Sequence, residues 1–342
     1  MNKINYSQIY TKVTKGLSPK VKDIFDRRFG IGKAAPETLE SIGKSLRVTR
    51  ERVRQIEEGG FSFIKKNHKD TLEKVFVEFR AYFESTGGLK REDLVLNDLG
   101  GTKYQHHVLF LLRLSDEFER VCEKKEYHYF WSTMQDAEKK VADVLRQMVA
   151  DISQYGKPMP KQQLFAQLLV KYHLTEAALQ SYLEISKKIQ PNSEGSYGLI
   201  HWPEIKPRSV KDKALLVFRR HQKPLHFKEI TSLIDQLELA AQKRKTHPQT
   251  VHNELIKDPR FVLVGRGMYA LSEWGYIPGT VKDIILSVLK EKPQLTSKED
   301  IVKEVLAQRL VKRNTVLIKL NNKKYFLRDQ QGKYFPTTSQ TA

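Results

Sequence analysis

The chain has 342 residues, with 60 Lys and Arg against 40 Asp and Glu, a formal net charge of +20 and a sequence pI near 9.7. A basic excess of that size favours a polyanionic partner, most simply nucleic acid, and 39% hydrophobic with 10% aromatic residues exclude a largely disordered basic tail. No run approaches the roughly 18 uninterrupted apolar residues of a transmembrane helix, and the single cysteine, Cys122, excludes an internal disulfide framework.

Residues 1–16 are polar around Ile4, Ile9 and Val13 and read as a short helix; with no apolar signal core there, the chain is expected in the cytoplasm, on the nucleoid. Ser18 followed by Pro19 is an N-cap and first helical position, after which Val21, Ile24, Phe25 and Phe29 fall on one side and residues 30–36 form a loop. In TLESIGKSL, which starts at Thr38, the residues Leu39, Ile42 and Leu46 recur at i, i+3 and i+7 and make one apolar stripe. Thr49 then stands where an N-cap belongs, before RERVRQIE. At about 100° per residue, Arg50, Arg54, Glu51 and Gln55 share an arc of roughly 140°, with Val53 and Ile56 opposite. One face is built to pack and the other to reach outward. Arg pairs bidentately with guanine, Gln with adenine, and a carboxylate accepts from cytosine, so the outward face suits base edges in a DNA major groove, as the second helix of a helix-turn-helix does. A solvated charged helix held by ion pairs accounts equally well for RERVRQIE alone.

RRFGIG, TLESIGKSL and VTRERVRQIE, in that order, resemble region four of the primary sigma factors of bacterial RNA polymerase, the part that reads the promoter −35 element; the likeness covers about residues 17–66. It implies that Arg50, Glu51, Arg54 and Gln55 take base and phosphate contacts, and Arg47, Thr49 and Arg52 complete the candidate DNA-binding set beside them. Double-stranded DNA is then the expected partner, with RNA polymerase as a second. Two departures stand out. Gly59 and Gly60 follow where the family continues with helix formers, and at about 1 kcal/mol per glycine in a helix interior the recognition helix is expected to end or bend there. Ser41 stands where the family often carries an acid, which weakens the capping box.

Beyond residue 66 a pattern recurs at a spacing of about 70 residues: a helix, a turn, two more helical runs, then a short aromatic hairpin. This is the layout of a winged helix. It divides the chain into modules at 1–66, 67–135, 136–206, 207–277 and 278–342. The expected fold class is mainly α with short β-hairpins, a tandem array of helix-turn-helix and winged-helix modules. The clearest hairpin alternates Phe261, Leu263, Met268 and Ala270 about Gly265-Arg266-Gly267, whose glycines permit positive φ. The linkers 202–207 and 275–279 contain proline and are short, so the modules are expected close together.

Between Asp212 and Gly275, KPLHFKEI and DPRFVLVGRGMYALSEWG resemble the HARE-HTH winged-helix family, in a module of about residues 207–275. Members include the delta subunit of bacterial RNA polymerase and modules attached to DNA-modifying or restriction enzymes. The resemblance implies that GRGMYAL is a wing, touching DNA in some members and protein in others. Lys243, Arg244, Lys245, His247, Gln249 and Asn253 lead into or lie on the helix before it, and Arg266 sits at its tip. Lys312, Arg313, Asn314 and Lys319 are their counterparts in the last module. Phosphate contact and a solvated face are competing readings for both groups.

Catalytic signatures are absent. Gly30-Ile31-Gly32-Lys33 lacks the spacing of a phosphate loop. His106-His107 are adjacent and His247 and His252 lie five apart, so neither pair makes an i, i+4 metal face; these histidines read as surface or DNA-facing. Cys122 has no evident neighbouring base and reads as a buried structural thiol. The hairpin aromatics read as closing small cores rather than stacking on single strands. No enzyme activity, cofactor, metal or membrane partner is expected. Two functions remain: a sequence-specific regulator reading a −35-like element, or a scaffold bound to RNA polymerase or another protein with non-specific DNA binding.

Overall fold

A computed structural model describes residues 4–32, 35–238, 245–292 and 297–337. The chain divides into two compact units, residues 1–201 and 202–342.

Unit 1 opens with α1 (Tyr6–Val13), α2 (Pro19–Phe29), α3 (Leu39–Leu46) and α4 (Arg50–Asn67). The hydroxyls of Ser18, Thr38 and Thr49 each accept a bond from the third amide beyond, starting the last three helices where the sequence pattern puts them. Ser41 donates to Glu37 Oε2 at 3.1 Å, so the start of α3 is held without an acid at that position. Ile24, Ile42 and Val53 are buried together and form the small core of α2, α3 and α4.

Helix α4 does not end at Gly59-Gly60; it runs on to Asn67. The reason is packing. A Cβ on Gly59 would meet nothing within 4 Å, whereas one on Gly60 would lie 2.7 Å from Phe25 Cζ and 2.7 Å from Val21 Cγ1. Gly60 therefore lets α4 approach α2 closely enough for Phe61 to stack on Phe25, with centroids 4.9 Å apart. Aromatic pairs of this kind are worth about 0.5–1.5 kcal/mol beyond their burial, which offsets the glycine's helix penalty.

The chain then repeats one series three times, helix, short strand, two helices, two strands, and a fourth follows with no short strand among the described residues. In unit 1 it runs α5 (Lys69–Ser85), β1 (Leu89–Arg91), α6 (Glu92–Gly100), α7 (Gln105–Leu114), β2 (Glu119–Val121) and β3 (Phe130–Ser132), and again α8 (Ala137–Tyr155), β4 (Met159–Pro160), α9 (Lys161–Tyr172), α10 (Glu176–Ile185), β5 (Ile189–Pro191) and β6 (Ser196–Leu199). In unit 2 it runs α11 (Val210–His221), β7 (Leu225–His226), α12 (Phe227–Glu238), α13 (Pro248–Lys257), β8 (Phe261–Gly265) and β9 (Met268–Leu271). The last series is α14 (Val281–Glu291), α15 (Lys298–Gln308), α16 (Arg313–Leu320), β10 (Phe326–Arg328) and β11 (Tyr334–Pro336). Each of the first three series closes on an antiparallel three-stranded sheet with its final strand in the middle, in the orders β1-β3-β2, β4-β6-β5 and β7-β9-β8. The leading strands are too short to carry a visible alternation, so sequence patterning shows only the hairpins.

Within unit 1 the series are welded to their neighbours. Phe110 of α7 meets Tyr10, Phe25 and Phe29 edge-on at 5.0–5.4 Å, and the Tyr10 hydroxyl donates to Asp26 at 2.7 Å. His107 is not a surface histidine: its ring is half-buried between Tyr10 and Tyr104, and that burial holds it below the ordinary histidine pKa. Helix α10 packs on β1. Ser181 Oγ donates to the Thr86 carbonyl at 2.9 Å and Arg91 Nη1 to the Glu184 carbonyl at 3.2 Å. Gly87, at φ +79°, passes so close that a Cβ there would lie 2.4 Å from Ala178 Cβ. Cys122 is exposed rather than buried, because Val121 takes the inward position at the end of β2.

In unit 2, Ser209 with Asp212 and Thr280 with Asp283 form capping boxes at the starts of α11 and α14. Arg309 is buried, and its Nη2 donates to the carbonyls of Ile277 and Gly279. The Leu310 amide donates to the Val264 carbonyl at 2.7 Å, so the segment after α15 lies along β8. Among the described residues, no helix is long and apolar enough to cross a membrane.

Candidate nucleic-acid interface

The outward face of α4 follows from its packing: Val53 is fully buried against α2 and α3, which turns Arg50, Glu51, Arg54 and Gln55 to the surface. Arg47 occupies the turn between α3 and α4 in the left-handed region, at φ 54°. Arg47, Thr49 and Arg52 are exposed as well, so the seven N-terminal candidates lie on or beside one helix. Arg54 is not unpartnered. Its Nη2 meets Glu51 Oε1 at 2.6 Å, and its Nη1 pairs with Glu58. The hydrogen bond from Arg54 holds the Glu51 carboxyl below its ordinary pKa. Arg52 Nη1 donates to Gln55 Oε1 at 3.1 Å. Exposed ion pairs of this type contribute little, so they can be exchanged for contacts with a ligand.

Two residues outside the expected set shape the surroundings. Arg28 Nη1 donates to the Glu37 carbonyl at 3.1 Å, and with Arg50, Thr38, Leu39 and Glu40 it lines a cleft of about 200 Å³ at the start of α3. The doubled arginine in RRFG was its only sequence signal. Glu57, on the inner side of α4, is buried with its carboxylate 3.9 Å from Arg28, in a cleft of about 360 Å³ that Arg113, Phe61 and Trp131 also line. Burial raises its pKa above the ordinary carboxylate value against the pull of Arg28 and Arg113.

The helix directly before each hairpin differs sharply along the chain. On α7, Val108, Phe110, Leu111, Leu112 and Leu114 are buried, and on α10 Ala178, Leu179, Ser181, Tyr182, Leu183 and Ile185 are. On α13 only Val251 and Leu255 are buried, leaving Gln249 and Asn253 exposed, with Gln249 Nε2 donating to Asn253 Oδ1 at 3.2 Å. His247 Nδ1 accepts from the Gln249 amide at 3.3 Å and caps this helix. Lys245 is exposed just before it, and Arg266 is exposed at the wing tip beside Gly267, whose φ is +69°. Lys243 and Arg244 lie outside the described residues. Among the described residues, no cluster of His, Cys, Asp and Glu is arranged to hold a metal ion.

The family described as Sigma-70, region 4 matches residues 15–66, and the HARE-HTH family, whose description includes a restriction endonuclease HTH domain, matches residues 208–274. Over 66 residues the chain is 35% identical to the RNA polymerase sigma factor SigA of Nostoc sp., covering 19% of this chain and 17% of that protein. It is 44% identical over 46 residues to SigA of Clostridium acetobutylicum, covering 14% of this chain and 12% of that protein. The chain thus spans less than a fifth of the length of these relatives. Residues 15–66 are thus similar to sigma-70 region 4, and residues 208–274 of the same chain to the HARE-HTH family.

Proposed function

We propose that this protein is a double-stranded-DNA-binding regulator of transcription that reads a −35-like promoter element through α4. The observation that carries the reading is the outward face of α4: Arg50, Glu51, Arg54 and Gln55 are exposed on a helix whose other side is locked by Val53, within a segment similar to proteins named as RNA polymerase sigma factors. In this reading Arg54 and Gln55 take base edges, while Arg47, Thr49, Arg50 and Arg52 hold the backbone. Arg28, across its cleft from Arg50, joins the phosphate contacts. Lys245, His247, Gln249, Asn253 and Arg266 make further contacts from the HARE-HTH domain. The chain is organised as five modules, 1–66, 67–135, 136–206, 207–277 and 278–342, works in the cytoplasm on the nucleoid, and has no catalytic role. Selection of sites from a random DNA pool with the purified protein tests this: enrichment of one motif supports it, and an unenriched pool refutes it.

A second reading is a scaffold on RNA polymerase with non-specific DNA binding. The burial of α7 and α10 favours it, since those helices are committed to packing within unit 1. It requires duplex binding that is indifferent to sequence at every salt concentration.

A further inference from the structure

We propose that the last module carries a second duplex-DNA-binding face, formed by α16 and the β10–β11 hairpin, which grips phosphates without reading sequence. The proposal shares the duplex partner of the reading above but does not depend on α4 recognising bases. It rests first on how charge is segregated in this module. Residues 281–308 hold five Lys and Arg against five Asp and Glu, whereas residues 309–337 hold eight against one. The buried Arg309 is the exception among the eight. Lys312, Arg313 and Lys319 on α16 are exposed, as are Lys323, Lys324, Arg328 and Lys333 on and beside the hairpin.

Little in the module neutralises these cations. Arg313 pairs with Glu299 at 3.3 Å. The lone acid of the segment, Asp329, is taken up by the turn, where its Oδ1 accepts from the Lys333 amide at 2.8 Å. On α4, by contrast, Arg54 is laced to Glu51 and Glu58. An unbalanced cationic face attracts a polyanion at long range.

The helix has the exposure and size for a groove. Unlike α7 and α10, α16 buries only Val316 and Leu320. A helix with its side chains is about 10–12 Å across, which fits a major groove about 12 Å wide. Lys312 sits at its N-cap without a side-chain bond to the first turn, so the first-turn amides lie beside two cations. The face is also fixed in place, since Arg309 and Leu310, just ahead of α16, are bonded to Ile277, Gly279 and Val264.

Duplex rather than single-stranded DNA follows from the aromatics. A stacking platform needs a row of open rings. Here Tyr334 is buried, and Tyr325 has Lys282 and Lys324 over it at 4.7 and 5.6 Å, which leaves Phe335 as the exposed ring of the hairpin.

The test uses the full chain and a fluorescent duplex of scrambled sequence, titrated over a range of NaCl. Three triple variants are compared with the parent: K312Q/R313Q/K319Q on α16, K323Q/K324Q/K333Q on the hairpin, and K290Q/K298Q/K303Q on α14 and α15 as a charge-matched control. Thermal unfolding checks that each still folds. Each lost phosphate contact lowers the slope of log K against log salt by about 0.9, so the first two variants should lower it by up to about 2.7 and bind at least about tenfold more weakly at low salt, with the control near the parent. Unchanged slopes in both, or an equal drop in the control, would overturn the proposal. So would a single strand of the same length that binds as tightly as the duplex and loses as much in the variants.

Discussion

Gly59 and Gly60 offer a paired perturbation in which adjacent, chemically identical substitutions are expected to act in opposite directions. Replacing either by Ala gains about 1 kcal/mol of helix propensity. At Gly59 a new Cβ meets nothing within 4 Å, so the gain stands alone and Gly59→Ala should stabilise α4 by about 1 kcal/mol. At Gly60 the new Cβ would lie 2.7 Å from both Phe25 Cζ and Val21 Cγ1. Phe25 is fully buried and held by Phe29, Phe61 and Phe110, so it has little room to yield. Overpacking of this kind costs about 1–3 kcal/mol, which leaves Gly60→Ala destabilising by about 1 kcal/mol after the propensity gain. Hydrogen exchange of the α4 amides reads the difference: about fivefold slower in Gly59→Ala and about fivefold faster in Gly60→Ala. If both variants slow exchange alike, the close approach of α2 and α4 is wrong.

Other expectations follow from individual groups. Because burial holds the Glu57 pKa above its unfolded value, its ionisation costs stability as pH rises from the ordinary Glu value through the folded one. Glu57→Gln should therefore stabilise unit 1 at neutral pH and be without effect in acid, below the ordinary Glu value; urea midpoints at both pH values check this, and a pH-independent effect contradicts it. Glu58→Gln releases one arm of Arg54 and removes a charge that repels phosphate, so affinity for duplex DNA should rise by about twofold or more, measured by fluorescence anisotropy. Arg309→Met leaves the carbonyls of Ile277 and Gly279 without their donor, at a cost of about 2 kcal/mol or more to unit 2; faster proteolysis at 275–279 is the expected readout, and unchanged cleavage contradicts it.

The caps and stripes of residues 18–56 were legible because they are local: Ser18, Thr38 and Thr49 act within one turn, and Ile42 and Val53 follow helical periodicity. The hairpins were legible through alternation and turn glycines. What stayed hidden depends on partners distant in sequence. The role of Gly60 is set by Val21 and Phe25, and that of Gly87 by Ala178. The half-burial of His107 is set by Tyr10 and Tyr104. VLFLL in α7 is apolar all round, the mark of a helix buried on every side rather than one offered to a groove. On the DNA side, the exposure of Arg50, Glu51, Arg54 and Gln55 followed from the helix wheel, while the ties of Arg54 to Glu51 and Glu58 needed side-chain positions.

Base reading by α4 is tested by competition between a TTGACA-type duplex and a scrambled duplex at raised salt, for the parent chain and Arg54→Ala. The parent should prefer the TTGACA-type site, and the variant should lose about 1–3 kcal/mol of that preference, with scrambled-site binding changed far less. Equal binding of the two duplexes by the parent, or an undiminished preference in Arg54→Ala, would contradict it.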